Sequence, residues 1–375
     1  MAAVAPGRAE VPRWVAVGLL PLVNLAAAFF VSGLVILAIG ENPIRALAIL
    51  VNGAFGYQEG IGFTLYFTTN FIFTGLAVAV AFHCGLFNIG GEGQATIGGL
   101  GVGLVLLALD RHLPLIAILP IAILASMLFG AAWGFIPGYL RAKRGSHEVI
   151  TTIMFNFIAA TLMVYLLSLV LIKPGQMSPE SREFEPEAWL PFMHVIAGWF
   201  GIPLARSPWN ASFVVALVAG VFVWIFIWYT RWGYEVRTVG ANKAAAVYAG
   251  ISPARNIILA MVIGGALAGL LGLNEIMGVN HRLILNFSAG YGFVGIAVSL
   301  MGRNHPVGIV LASLLFGALF QGGADLAFEI PKISREMVVV IQGLVILFAG
   351  ALEYLFWPYI AAIFRRREPV PAPAE

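Results

Sequence analysis

The stretch Phe87-Asn88-Ile89-Gly90-Gly91-Glu92-Gly93-Gln94 places three polar residues and three glycines between two long apolar runs. Lipid cannot hydrogen-bond an open backbone, so a break of this kind at membrane depth persists only against protein or along a water-filled path. A carboxylate at that depth is costly and indicates a functional site. Two interpretations stay open, a functional break inside the membrane or a tight cytoplasmic turn between two helices.

Composition identifies the class of protein. The 375 residues are 60% hydrophobic and only 10% charged, whereas a soluble domain carries about 25% charged residues. This chain is therefore predicted to be an integral membrane protein. Its net charge of +3 comes from short loops, where the preference of Lys and Arg for the cytoplasmic side explains it better than binding to nucleic acid. The single cysteine, Cys84, excludes an intrachain disulfide.

The apolar runs predict an all-α, polytopic membrane bundle of about ten transmembrane helices with broken or short segments. The first run exceeds the 7–15 apolar residues or so of a signal peptide and predicts an uncleaved helix. The eighth run is too short for a full span of roughly 20 residues and predicts a half-helix or a tilted segment. The predicted spans are 14–40, 64–84, 90–109, 113–140, 149–172, 211–230, 256–276, 291–302, 307–327 and 336–358.

The distribution of charge predicts the orientation. Lys and Arg are more numerous on the side that holds 141–144 and 231–255, whereas four glutamates lie in the 173–210 loop on the other side. Positive residues favour the cytoplasm, so both termini are expected there. The 173–210 loop is then extracytoplasmic, and its six prolines predict short irregular helices.

Two apolar stretches resemble each other. Gly75-Leu-Ala-Val-Ala-Val80 precedes the first polar break, and Gly295-Ile-Ala-Val-Ser-Leu300 precedes a second one at 303–306. Transporters are often built from repeats whose broken helices frame the substrate site. Chance similarity among small apolar residues is the alternative.

No motif for catalysis is present in the sequence. It contains no His-Glu-x-x-His, no Gly-x-Ser-x-Gly and no Gly-Lys-Ser/Thr of a phosphate-binding loop. The six histidines are scattered without metal-ligand spacing. We therefore expect no enzyme activity, no ATP site, no metal and no cofactor.

The 231–255 segment is the longest predicted cytoplasmic connection. Asn242 is a good N-cap, the alanine-rich stretch 243–249 favours a short helix, and Gly250 ends it. Such a helix is suited to docking in a groove of another protein, although an ordinary connector is the alternative.

This segment resembles the coupling segment of ABC-importer permeases, whose pattern is Glu-Ala-Ala, three residues, then Gly. Here Ala244-Ala245-Ala246 is followed after three residues by Gly250, with alanine in place of the glutamate. The signatures of the nucleoside and simple-sugar permeases, within the branched-chain amino acid and ribose type, are similar to Gly85–Gln94, Glu148–Asn156, Tyr248-Ala-Gly-Ile251 and Gly295–Asn304. The resemblance covers roughly 60–355 and is nearest to the longer permease of nucleoside systems served by a basic-membrane-protein lipoprotein.

The resemblance implies a single ABC-importer transmembrane domain over 1–375. It would comprise a cytoplasmic N-terminus (1–13), a helical bundle (14–358) with the coupling loop 231–255, and a cytoplasmic tail (359–375). It also implies the partners, namely an ABC ATPase subunit, a second and shorter permease, and an extracytoplasmic substrate-binding lipoprotein. The chain would move nucleosides or related simple sugars across the bacterial inner membrane.

Candidate residues follow for two sites. The substrate pathway is expected to use polar groups at span centres and breaks, which are Asn70, Asn88, Glu92, Gln94, Asn156 and Asn274. Glu92 could instead answer the dipole of the third span, and the amides could bond across helices. ATPase coupling is expected to use Arg237, Gly240, Asn242, Ala245, Ala246, Tyr248, Gly250 and Arg255.

Two other functions remain possible from the sequence. One is a secondary transporter of a small polar solute driven by an ion gradient, which the small number of intramembrane acids disfavours. The other is a membrane scaffold or an intramembrane enzyme, which the missing catalytic motifs disfavour. The lipoprotein is expected to dock on the 173–210 loop, and the sequence does not identify which nucleoside or sugar is carried.

Overall fold

A computed structural model describes residues 12, 15–348, 359, 360 and 362. The described part is helical and contains no extended strand, only one isolated bridge between Phe192 and Asn210. A π-helical turn, Val15–Leu19, precedes the first helix, and the helices are α1 (Leu20–Ala38), α2 (Pro43–Phe55), α3 (Gln58–His83), α4 (Gly91–Leu109), α5 (Leu115–Arg144), α6 (Glu148–Tyr165), α7 (Met193–Trp199), α8 (Ser212–Tyr229), α9 (Arg231–Ala241), α10 (Lys243–Tyr248), α11 (Pro253–Gly269), α12 (Tyr291–Met301), α13 (Pro306–Glu329) and α14 (Arg335–Ile346).

Length and hydropathy mark the spanning helices. Within the described residues, seven helical stretches are long and apolar enough to cross a membrane, or eight if the α1–α2 pair, bent by 120°, counts as one broken span. The all-α polytopic class is confirmed, while the predicted count of about ten is loose. The short eighth span is confirmed as α12, which has 11 residues and covers about half of a bilayer core at 1.5 Å per residue.

The structure differs from the predicted spans in two places, and a third lies outside the described residues. The helix α2 was missed, because Arg45 and Asn52 interrupt its apolar pattern; Asn42 accepts hydrogen bonds from the N–H groups of Ile44 and Arg45 at its start. The span 256–276 is not one regular helix, since α11 ends at Gly269 and a π-helical turn follows at Leu273–Asn280. The second half of the span 336–358, from 349 onward, and the tail 359–375 lie largely outside the described residues.

Contacts between Cα atoms separate two compact units, 50–325 and a second unit of 1–49 with 326–375. In the smaller unit, a core of Ile36, Ala46, Ile330, Ile333 and Ile341 joins α1 and α2 to the end of α13 and to α14. The prediction of a single transmembrane domain stays a prediction.

In the larger unit, α3 is the central helix. Every residue from Thr68 to Ala81 is buried, as expected for a helix that is apolar around its whole circumference and surrounded by others. The helices α8, α11 and α12 pack around it. The two similar stretches of sequence meet here, since a Cβ on Gly75 of α3 would lie 3.0 Å from the Cγ1 of Val298 in α12.

The helices α5 and α11 cross with their backbones in close contact. A Cβ on Gly265 would lie 2.2 Å from the carbonyl oxygen of Gly130, and a Cβ on Gly130 would lie 2.2 Å from that of Gly265. Small residues at membrane helix interfaces allow this approach, and the pair holds α11 in the position from which the π-helical turn continues.

We predict that Gly265→Ala lowers the thermal unfolding midpoint of the purified protein, because its methyl group has no space against the Gly130 carbonyl. Overpacking of this kind costs about 1–3 kcal/mol. The matched control is Gly220→Ala in α8, where a Cβ meets no neighbouring atom within 4 Å. Equal midpoints for the two variants would contradict the prediction.

Candidate functional site

The polar break between α3 and α4 is folded back on itself. Gly85 adopts a positive φ of 70° directly after the end of α3. The Oδ1 atom of Asn88 accepts a hydrogen bond from the N–H of Gly90 at 2.9 Å, and its Nδ2 donates to Gln94 Oε1 at 3.1 Å. Asn88 and Gln94 are each 1% exposed. These two predicted pathway residues therefore hold the shape of the break.

Helix α6 clamps the same break from the side. Asn156 Nδ2 donates to the carbonyl oxygen of Ile89 at 2.9 Å, and Asn156 Oδ1 accepts from the N–H of Gly93 at 2.9 Å. Thr152 Oγ1 accepts from the N–H of Ile89 at 3.3 Å. The end of the 148–156 signature thus supplies the hydrogen-bond partners that the open backbone of this buried break requires.

Glu92 caps the half-helix α12. Its Oε1 accepts from Ser288 Oγ at 2.7 Å and from the N–H of Gly290 at 2.9 Å, and its Oε2 accepts from the N–H of Gly292 at 2.9 Å. The free N–H groups at a helix start carry partial positive charge. Glu92 therefore interacts favourably with a helix dipole, as the sequence suggested. The dipole is mainly that of α12, whereas the sequence suggested that of α4, the helix to which Glu92 belongs.

A cavity of about 590 Å³ opens between α4, α6, the 285–290 loop and α12. Glu92 and Asn156 line it, and the other predicted pathway residues do not. Two residues of the loop, Asn286 and Ala289, have positive φ values of 55° and 44°, a costly conformation for residues other than glycine that clusters at ligand sites. The remaining lining residues are Thr96, Ile153, Phe157, Ala160, Met163, Val164, Leu285, Asn286, Ser288, Ala289, Gly290 and Phe293.

Asn70 and Asn274 belong to a separate polar cluster. Asn274 Nδ2 donates to Asn70 Oδ1 at 2.8 Å, and Asn70 Nδ2 donates to Glu275 Oε1 at 2.6 Å. Sequence analysis missed Glu275, which is 3% exposed, because it fell at the edge of a predicted span. An acid next to an asparagine inside an apolar run was the signal that could have found it.

The segment at 231–255 contains two helices. The N-cap role of Asn242 is confirmed, since its Oδ1 accepts from the N–H groups of Ala244 and Ala245, and α10 covers 243–248 of the predicted 243–249. Gly250 follows with φ +75°, as expected at a helix end. The helix α9, which was not predicted, begins at Arg231 and has Thr230 as its N-cap, whose Oγ1 accepts from the N–H of Gly233.

The predicted coupling residues divide into two groups by exposure. Ala246 is fully buried against its own chain, and Gly240 touches the break, because a Cβ on it would lie 2.2 Å from the His83 carbonyl oxygen. Arg237 is partly buried. Tyr248 is 98% exposed. The other exposed members are Asn242, Ala245, Gly250 and Arg255.

On the opposite side, an ion pair anchors the 173–210 loop. Arg182 donates to both carboxylate oxygens of Asp110, at 2.6 and 2.7 Å. Burial favours a higher pKa for Asp110, but hydrogen bonds from Arg182 and from the N–H of Glu185 outweigh it and hold the pKa of this carboxyl below its ordinary value. The expected short helices are present as a 3₁₀ turn, Pro186–Ala188, and α7.

Comparison with known proteins decides the family. Residues 60–350 match the family described as "Branched-chain amino acid transport system / permease component". The chain belongs to this permease family. It is thus a multi-pass membrane protein and a permease of the ABC-importer class, and the resemblance drawn from its motifs is confirmed.

Three similar relatives cover nearly the whole chain. A glucose ABC transporter permease protein of Haloferax volcanii is 37% identical over 96% of this chain and 94% of its own length. The guanosine ABC transporter permease protein NupP of Bacillus subtilis is 36% identical, over 89% and 93%. The nucleoside ABC transporter permease protein NupB of Lactococcus lactis is 35% identical, over 88% and 90%.

We predict that Glu92→Gln loosens the start of α12. The amide would place an N–H₂ group opposite N–H and O–H donors that need an acceptor. Leaving such a buried donor without a partner costs about 1–3 kcal/mol of stability. Backbone hydrogen exchange at 288–293 should rise by about tenfold or more, since 1.4 kcal/mol corresponds to a factor of ten. Glu187→Gln, at an exposed acid, is the control, and unchanged exchange in both variants would contradict the cap.

Proposed function

We propose that this chain moves nucleosides, or related simple sugars, into the cell across the bacterial inner membrane, driven by ATP hydrolysis on a separate subunit. The observation that carries the proposal is the cavity, whose lining combines the Asn286 amide and the Ser288 hydroxyl with the rings of Phe157 and Phe293. A nucleoside offers hydroxyls for the polar groups and a planar base for the rings. The names of two of the three relatives, which refer to guanosine and to nucleosides, favour this substrate class.

The proposed pathway follows the cavity. Glu92 and Asn156 line it, while Asn88 and Gln94 hold the break behind it, and Asn70 with Asn274 stabilise the interior next to α3. In this proposal two of the six residues line the cavity, and the other four stabilise the backbone and helices around it. Normal uptake and selectivity in Glu92→Gln would remove Glu92 from direct contact with substrate.

The proposed ATPase contact is the outer face of α10. Val247 and Tyr248 are 61% and 98% exposed, and aromatic anchors dominate the binding energy of protein interfaces. Ala246 would hold α10 against the bundle, and Gly240 would pass its movement to the break at Gly85 through their backbone contact. Both termini would then lie in the cytoplasm.

The further partners are proposed by side. A second, shorter permease would complete the translocation unit in the membrane, and a substrate-binding lipoprotein would dock outside on the 173–210 loop. We expect no nucleic acid partner and no cofactor. A permease of this class leaves ATP chemistry to the ATPase, so we propose no enzyme activity for this chain.

Uptake by a deletion strain and by the complemented strain tests the substrate class. With labelled purine and pyrimidine nucleosides, ribose and galactose, we expect loss of nucleoside uptake and its recovery on complementation. Loss confined to a sugar would keep the ABC architecture and overturn the nucleoside assignment. Uptake that persists when ATP is depleted but collapses with the ion gradient would instead support a secondary transporter.

We predict that Tyr248→Ala weakens retention of the ATPase subunit, since truncating a central aromatic anchor costs about 2 kcal/mol or more. Co-purification of the ATPase should fall by about tenfold or more at a fixed wash volume. Trp199→Ala changes an aromatic residue that is 70% exposed on the other side and should retain the ATPase. Equal retention by both variants would place the ATPase contact away from α10.

A further inference from the structure

The π-helical segment Leu273–Asn280 continues from α11 into the interior of the larger unit. Its residues 273–278 are all buried. π-Helical turns are rare and occur frequently at functional sites. The segment carries Glu275, a carboxylate within an apolar stretch long enough to span a membrane, where an acid is costly.

Glu275 is surrounded by hydrogen-bond donors. Tyr66 OH and Asn70 Nδ2 each donate to its Oε1 at 2.6 Å, and Asn280 Nδ2 donates to its Oε2 at 3.4 Å and to its carbonyl oxygen at 2.8 Å. A phenol and two amides thus solvate the carboxylate in place of water. Because an unsatisfied buried acid would be very unfavourable, this shell constrains the segment to one position against α3.

The donors form a directional chain that ends on the carboxylate. Asn210 Nδ2 and Ser212 Oγ donate to Asn274 Oδ1 at 2.7 and 3.0 Å, and Asn274 in turn donates to Asn70. Each amide offers its oxygen to the previous member and its nitrogen to the next. The side chain at position 275 must therefore accept hydrogen bonds without donating any. A carboxylate meets this requirement, whereas a glutamine amide also carries a donor.

The outer end of the same segment and His281, the first residue of the loop that follows it, are bonded to the extracytoplasmic chain at 181–192, here called the strap. The N–H of Leu190 donates to the Met277 carbonyl at 3.1 Å, and the N–H of Phe184 donates to the His281 carbonyl at 2.8 Å. The rings of Trp189 and His281 stack with centroids 3.8 Å apart. The strap cannot shift by an ångström or more without breaking these bonds or moving the segment with it.

The loop 281–290 then leads from the segment to the cavity. It contains three residues other than glycine with positive φ, His281, Asn286 and Ala289, and it ends where Glu92 holds Gly290. Strained backbone persists only when its surroundings determine it. At one end the loop is fixed by the π segment and by the strap, since Leu283 exchanges two hydrogen bonds with Ser181. At the other end it is fixed by Glu92.

We propose that Glu275 is a positioning residue that makes the π segment a rigid link, so that displacement of the strap by the docked binding protein reaches the cavity loop 281–290. The proposal rests on the proposed function in one respect, the docking of a binding protein at the strap. The mechanical link itself is independent of the substrate.

The first test measures the link by hydrogen exchange of the purified complex. In Glu275→Gln, one new donor faces the donors of Asn70 or Asn280, so exchange should rise by about tenfold or more at the strap amides and at 281–290 together. Tyr66→Phe removes one hydroxyl and should give the same pattern at smaller amplitude. Glu59→Gln, at an exposed acid on α3, should match the parent protein. Wild-type exchange in Glu275→Gln, or a rise at only one of the two regions, would overturn the proposal.

The second test measures transport in proteoliposomes with the ATPase, the second permease and the binding protein. For Glu275→Gln we expect the maximal uptake rate per assembled complex to fall by about tenfold, with KM changed by less than about twofold and with loss of the ATPase stimulation caused by loaded binding protein. Glu275→Asp, which keeps an acceptor-only group, should recover part of this stimulation. A rate per assembled complex equal to the parent would show a merely structural role and overturn the proposal. Failure of the parent complex to respond to any binding protein would refute the proposed docking, while the exchange test would still decide the link.

Discussion

The structure depends on one constraint, that polar backbone groups inside a membrane bundle must find partners within the protein. Three non-helical segments of the larger unit, 84–90, 281–290 and 302–305, interrupt helices whose backbone groups would otherwise bond within the helix. In the first two segments, polar side chains from neighbouring helices supply the missing hydrogen-bond partners. Asn156 donates to the carbonyl oxygen of Ile89, and Glu92 accepts from the N–H of Gly290. At the third, the imidazole Nε2 of His83 in α3 lies 3.0 Å from the carbonyl oxygen of Asn304.

This constraint gives several polar residues two tasks. Asn156 forms hydrogen bonds with both a carbonyl oxygen and an N–H group of the first break, and it also lines the cavity. Glu92 neutralises the start of α12 and also lines the cavity. A substrate that competes for these groups would loosen the segments they hold, so binding and a change of backbone conformation are physically connected in such a site.

The breaks also contact the segment proposed to meet the ATPase. Gly240 in α9 lies against the backbone at His83 and Gly85, and the imidazole Nε2 of His83 lies 3.0 Å from the carbonyl oxygen of Asn304 in the third break. The backbone contact of Gly240 transmits displacement because no flexible side chain lies between the two segments to absorb it. The 231–255 segment is therefore joined to the first break by short contacts, as the 181–192 strap is joined to the loop 281–290.

Sequence alone determined the membrane class, the helical content, the short length of α12, the cap at Asn242 and the permease family. These properties follow from local composition, the length of hydrophobic runs and short motifs, all of which depend on residues that are close together in the sequence. Only the tertiary structure decided which polar residues share a site. It separated Asn70 and Asn274 from the cavity, turned Ala246 inward, and revealed α2 and Glu275. The physical reason is that hydrogen-bond partners such as Tyr66 and Glu275 are 209 positions apart, and no local pattern encodes a contact made by helix packing.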